Sequence, residues 1–287
     1  MHRPYSPTIR RRRLGFELRR LREEHGYTLD EAAKRSAVPR ATIGKIETAE
    51  SRRTRTRDLD ALADLYNLDE ESRAGLHQLS RESKEKGWWS RYKDVFSEHT
   101  LPDFESEASA IRTYEAQVLP GLFQTPDYAE EIFKGGRATE DPSIGRQVEA
   151  RLARQQILSR VNAPHMTAVI DEAVLLRLVG NRQVMIEQLE HLEHLAIRHN
   201  IDIQVLPLSS GAHLGMAGAF TILDFPEPRD PTIVYVSTAA DGLYLEQESD
   251  IKRYNMAFSN VQGIALSSTA SMRSIASVKA SMEGEQG

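Results

Sequence analysis

Leu14, Leu18 and Leu21 recur at i, i+4 and i+7, one face of a helix that stops near Gly26. Thr28-Leu29-Asp30-Glu31 has the form of a capping box, in which hydroxyl and carboxylate satisfy each other's backbone amides. A short helix follows, with Leu29, Ala32 and Ala33 inward. Ser36-Ala37-Val38 then reads as a turn, and Pro39 sits where a new helix can start without losing a needed N–H. That third helix runs to about Glu47, with Ile43 and Ile46 on its buried side. A fourth begins near Thr56 and carries Leu59, Leu62 and Leu65; a fifth, from Asp69, carries Leu76 and Leu79.

Residues 80–100 are polar, contain Trp88 and Trp89, and mark a boundary. Beyond it the pattern is mixed. Helices are expected at 126–134, 142–160, 181–199 and 249–265, and strands at 111–118, 166–170, 201–207, 219–225, 232–237 and 242–246. Ile201, Ile203 and Val205 alternate with Asp202 and Gln204, as in a strand with one buried face. Pro226 and Pro228 mark the connection of a hairpin. The expected organisation is a basic arm (1–13), a helical domain (14–80), a linker (81–100), an α+β domain with a mixed or antiparallel sheet (101–270) and a tail (271–287) whose last dozen small, polar residues are expected to fray.

The 287 residues include no cysteine, which excludes disulfides, Cys-ligated metal centres and a thiol nucleophile. The N-terminal MHRPYSPTIRRRR has no apolar stretch behind it, and no segment approaches the ~20 apolar residues that span a bilayer. A soluble protein of a reducing cytoplasm, with no membrane partner, is the expectation. The net charge of −5 conceals an asymmetry: residues 1–93 carry 22 Lys/Arg against 15 Asp/Glu, whereas residues 94–287 carry 15 against 27. The front half suits a polyanion and the back half repels one.

Two short helices joined by a tight turn, from Thr28 to Glu47, form a helix-turn-helix. The outward residues of the second are Arg40, Ala41, Thr42, Gly44 and Lys45. Such a split lets the buried side fix the docking angle while the outer side meets base edges in the major groove of double-stranded DNA. Arg40 suits bidentate pairing with guanine, Ala41 a thymine methyl, and Thr42 and Lys45 bases or phosphates. Arg52, Arg53, Arg55 and Arg57 are candidates for the phosphate backbone, and Thr28 is a further candidate DNA-binding residue. Arg11 and Arg12, within the block Arg10–Arg13, are candidates for a minor groove.

LRRLREEHG (18–26) followed by TLDEAAKRSAVPRATIGKIET (28–48) resembles the Cro/repressor, or XRE-type, DNA-binding domain over roughly residues 14–67. Ala33, Val38, Ile43, Ile46 and Glu47 fall in register with it. The resemblance implies a lambda-repressor-like all-α N-terminal domain, so the expected fold is multidomain, all-α then α+β. Two positions depart from the family pattern. Ala37 stands where the turn usually has Gly, and Leu29 where a phosphate-gripping Gln is common.

The blocks YEAQVLPGLFQTPDYAEEI (114–132), RLARQQIL (151–158), VIDEAVLLRLVG (169–180), IQVLPLSSGAHLGMAGAFTIL (203–223) and DGLYLE (241–246) resemble the C-terminal domain of actinobacterial WhiJ-like regulators. That resemblance implies a transcriptional regulator of development or secondary metabolism, with an antitoxin-like partner encoded beside it. Tyr114, Glu115, Gln124, Tyr128 and Arg154 within the blocks, with His213, are the candidate ligand- or partner-binding residues. A homodimer is expected, because one such motif covers only a half-site.

Other features have plainer readings. Trp88 and Trp89 suit packing where the linker meets a domain. His191 and His194 lie three apart on one helix but lack the H-E-x-x-H arrangement, so a wet helix face is expected rather than a metal site. Of Asp171-Glu172, one is expected to cap the following helix. The glycine-rich run 209–218 suits a strand connection or a lid over a ligand. No nucleotide-loop or serine-hydrolase motif occurs. We expect no cofactor, no metal and no catalytic residue; the alternative is a C-terminal enzyme targeted or autoregulated by the DNA-binding domain.

Overall fold

The structure, a computed structural model, describes residues 9–51, 53–83, 91–92, 94–96, 101–135, 142–226, 230, 232–238 and 242–284. The chain forms two compact units, Met1–Glu107 with Glu227–Asp230, and Ala108–Pro226 with Pro231–Gly287.

The first unit is helical: α1 (Ile9–Glu24), α2 (Leu29–Ser36), α3 (Arg40–Glu47), α4 (Thr56–Leu65), α5 (Glu70–Glu82) and the short α6 (Leu101–Glu105). The expected apolar stripes converge in one core. Leu14, Leu18 and Leu21 of α1 meet Ala32, Val38, Ile43, Ile46, Leu59, Leu62, Tyr66 and Leu76. Asp69 caps α5, its carboxylate accepting from the Ser72 amide at 2.8 Å. One boundary moves. The arm was expected to reach residue 13, but α1 starts at Ile9, so Arg10–Arg13 are helical. Arginine is a good helix former, and the breakers Pro4 and Pro7 lie upstream, outside the described residues.

The second unit carries a six-stranded mixed sheet in the order β3-β2-β1-β4-β5-β6. Its strands are β1 (Ala110–Glu115), β2 (His165–Asp171), β3 (Ile201–Leu206), β4 (Phe220–Asp224), β5 (Ile233–Ser237) and β6 (Gly242–Leu245). β1, β2 and β3 are parallel; β4, β5 and β6 continue as an antiparallel meander from the other side of β1. The helices are α7 (Pro126–Gly135), α8 (Ile144–Gln155), α9 (Glu172–Leu176), α10 (Arg182–Ala196), α11 (Glu248–Ile264) and α12 (Ser268–Gly284). The expected helix over 142–160 finishes as a 3₁₀ turn, Gln156–Ser159. Residues Met166–Ile170 of β2 are all buried, as a parallel strand covered on both faces should be. On one face, Tyr114, Val169, Phe220 and Val234 pack against Phe258 and Val261 of α11.

The tail from residue 271 belongs to α12, in which Ser271 and Ile275 are fully buried, and the helix continues through Gly284 into the stretch expected to fray. Small residues let this helix lie close to its neighbours, and it packs on α10 and β3. The Ser271 hydroxyl accepts from the Val205 amide at 2.9 Å, and the Leu266 amide donates to the Val205 carbonyl at 2.8 Å. A backbone pair at the sheet edge is thereby satisfied. Among the described residues, no helix is long and apolar enough to cross a membrane.

Candidate nucleic-acid interface

The start of α2 is held by the expected capping box. The Glu31 amide donates to Thr28 Oγ1 (3.2 Å), while Glu31 Oε2 accepts from both the Thr28 amide and hydroxyl (2.8 Å each). These bonds hold the Glu31 carboxyl below its usual range. They also commit the Thr28 hydroxyl to the cap.

The turn closes at Ala37 in the left-handed conformation, φ 57° and ψ 16°, where the family pattern has glycine. Ser36 stabilises it, its hydroxyl donating to the Ala32 carbonyl (2.6 Å) and accepting from the Val38 amide (3.2 Å). A Cβ in this region costs about 1–2 kcal/mol, part of which glycine returns through unfolded-state entropy. Ala37→Gly is therefore expected to stabilise the chain by about 0.5–1 kcal/mol, read as a higher urea midpoint at unchanged slope.

α3 divides as expected. Ile43 and Ile46 are buried, Arg40, Ala41 and Lys45 are exposed, and Thr42 and Gly44 are half-buried. Two features that sequence reasoning missed fix its angle. Gly15 of α1 lies so close to the end of α3 that a Cβ would stand 2.5 Å from the Ile46 carbonyl oxygen and 2.8 Å from that of Glu47. Arg22 of α1 pairs in bidentate fashion with Glu47: Nε to Oε1 at 2.8 Å and Nη2 to Oε2 at 2.9 Å. Its third nitrogen donates to the Tyr27 carbonyl at 2.8 Å. The two side chains are only 11% and 5% exposed, so a charge-assisted fork ties the two helices out of water.

Beyond α3, Arg53 and Arg55 are exposed, and Arg57 pairs with Asp58 at 3.3 Å. Arg52 lies outside the described residues, as do Trp88 and Trp89. The reading of Arg11 and Arg12 as a groove-following arm needs correction: both are helical, Arg11 is buried and Arg12 half-buried. Carboxylates of the same unit lie near this end of α1. Arg10 pairs with Glu107 at 3.2 Å, and the buried Asp103 lies within electrostatic reach of Arg11 and Arg10.

Burial pushes the Asp103 carboxyl up to about 7, with the Glu107 charge adding to the rise and the two arginines opposing it. A native carboxyl with a raised pKa keeps its proton after the unfolded chain has lost it. Stability therefore falls as pH climbs from about 4 to about 7. The rise from 3.8 corresponds to roughly 4 kcal/mol, of which an amide's own unmet hydrogen bonds take back about half. Asp103→Asn is expected to raise Tm at pH 8 and to change it little at pH 4, as differential scanning calorimetry would register.

The C-terminal candidates fall on opposite faces of β1, because neighbours in a strand alternate. Tyr114 is buried; its hydroxyl donates to Asp171 Oδ2 (3.3 Å) and its ring meets His213 edge-on at 5.6 Å. Asp171 Oδ1 accepts from the Ala173 amide at 3.0 Å, the expected cap of α9. The glycine-rich run contributes Gly215, where a Cβ would stand 2.7 Å from the Tyr114 ring.

On the other face, Glu115 accepts from the Thr113 hydroxyl at 3.2 Å, and burial pushes its carboxyl up to about 7 against Arg154 and Arg151. Gln124 donates to the Leu119 carbonyl (2.8 Å) and accepts from Arg151, and Tyr128 Oη accepts from the Leu119 amide (3.3 Å). Gln155 and Gln188, which sequence reasoning passed over, bind the carbonyls of Gly121, Phe123 and Gln124. The loop 119–125 is thus fixed by side-chain amides rather than by a ladder. Elsewhere, burial and the neighbouring His194 lower the pKa of His191. Among the described residues no cluster of three or more His, Asp or Glu side chains is placed to hold a metal ion.

A capped α2, a left-handed turn and an α3 whose polar side faces outward define a helix-turn-helix DNA-binding protein that continues into an α+β domain. The comparisons agree: residues 13–76 match a helix-turn-helix domain, and residues 99–277 match the domain of unknown function DUF5753. The chain belongs to the DUF5753 family. No curated protein and no solved structure matches it.

Proposed function

We propose that this protein is a sequence-specific transcriptional regulator that binds as a homodimer, with α3 in the major groove. The observation that carries this is the division of α3: Ile43 and Ile46 locked into the core, Arg40, Ala41 and Lys45 outside. Arg53 and Arg55 follow where backbone phosphates would lie. The C-terminal domain is read as a sensor of a protein partner or small ligand that also contributes to dimerisation. A non-catalytic role suits the polar side chains around residues 119–125, which are spent on holding backbone. The sequence blocks at 114–132 and 203–223 support kinship with actinobacterial WhiJ-like regulators. With it come a small partner encoded nearby and action at the nucleoid.

Selection from a randomised duplex library with the full chain tests the central reading. An enriched sequence is expected, and Arg40→Ala should lower discrimination at one base pair by about 10- to 100-fold. An unchanged preference in that variant overturns the assignment of α3. Co-purification with the product of a neighbouring small gene tests partner sensing against small-molecule sensing.

A further inference from the structure

Asp30 is an acidic side chain beside the residue assigned to read a base, and a DNA-binding face has no evident need of a carboxylate. It stands in the first turn of α2, with its side chain 77% exposed. There it favours the helix dipole but repels any phosphate that approaches the same helix end. Its partner is Arg40, the first residue of α3, with Nε 3.0 Å from Oδ1 and a side chain 61% exposed. The pair thus joins the beginnings of the two helices of the motif.

We propose that Asp30 is a positioning residue that orients Arg40 for guanine; the proposal rests on the reading that α3 enters the major groove. An arginine side chain is long and loses rotamer freedom when it is held on a base. The carboxylate 3.0 Å from Nε, an ion pair without hydrogen-bond alignment, biases the guanidinium's position before DNA arrives. It is compatible with Nη1 and Nη2 reaching guanine O6 and N7 as a fork. An exposed ion pair adds little to stability, so Asp30 acts on selectivity rather than on folding. The same carboxylate weakens binding to every duplex, because it adds negative charge near phosphates. Overall affinity and discrimination therefore respond to its removal with opposite signs.

The test uses the full chain with Asp30→Ala, Arg40→Ala and the double substitution. Each is titrated with the duplex enriched from the randomised library, with its single-base variants and with an unrelated duplex. Asp30→Ala is expected to bind the unrelated duplex about two- to threefold tighter and to lose about fivefold in discrimination at the Arg40 base pair. In the Arg40→Ala background the same change is expected to leave discrimination where it was. Discrimination untouched by Asp30→Ala while Arg40→Ala still lowers it makes Asp30 a repelling charge only and overturns the proposal alone. A loss that persists without Arg40 overturns it too, since Asp30 would then act elsewhere. Preference retained by Arg40→Ala overturns the reading of α3 and the positioning role together.

Discussion

Glu47→Ala is expected to cost the N-terminal unit about 2–3 kcal/mol, because it leaves the largely buried Arg22 guanidinium with only the half-exposed Glu23 carboxylate at 3.4 Å and the Tyr27 carbonyl. The bidentate fork and the Tyr27 carbonyl leave Arg22 fully engaged in the native state, and alanine supplies no substitute acceptor. The loss should appear as a large drop in the urea midpoint of the helical unit. A pair of apolar residues tells the two possible origins of the effect apart. Arg22→Met with Glu47→Leu removes both charges, and should recover most of the stability if the stranded cation is the cause. If the double variant is as unstable as Glu47→Ala, the pair contributes through attraction itself and the desolvation argument fails. Binding of DNA should fall with either single change even where folding is complete, since the fork anchors the end of α3.

Gly15→Ala acts on the same junction through sterics. A methyl group 2.5 Å from one carbonyl oxygen and 2.8 Å from the next meets backbone, which cannot rotate away as a side chain can. The helices must separate, and the expected cost is about 3 kcal/mol, even though alanine is the better helix former. Thermal unfolding would show it, and an unchanged Tm would mean that α1 and α3 can part at little cost. Such a variant should also bind DNA less selectively, because α3 would leave its fixed angle.

Much of this was legible in the sequence, and the reasons are local. The capping box, the turn at Ala37 and the inward Ile43 and Ile46 depend on neighbours a few residues away, as does the alternation that located β3. The Arg22–Glu47 pair left a trace: each is a charged residue on an otherwise apolar helical stripe, beside Leu18 and Leu21 in one case and Ile43 and Ile46 in the other. What pairs with what is set by tertiary contact 25 residues apart, and no periodicity shows it. The same holds for Arg11, whose charge suggests a free arm although it is helical and buried, within electrostatic reach of Asp103. The small polar composition of α12 resembles a tail, and only Ser271 and Ile275, four apart, hint at an inner face.

That last helix has a consequence for how the molecule avoids its own copies. β3 ends the sheet, and a bare outermost strand is a template on which further chains can stack. Here the rail is blocked at Val205, where a serine hydroxyl and a loop amide occupy the two groups that a stranger's strand would seek. Proteolytic removal of the final twenty residues would take Ser271 away and leave the Val205 amide open to a strand from another chain, while Leu266 would still hold the carbonyl.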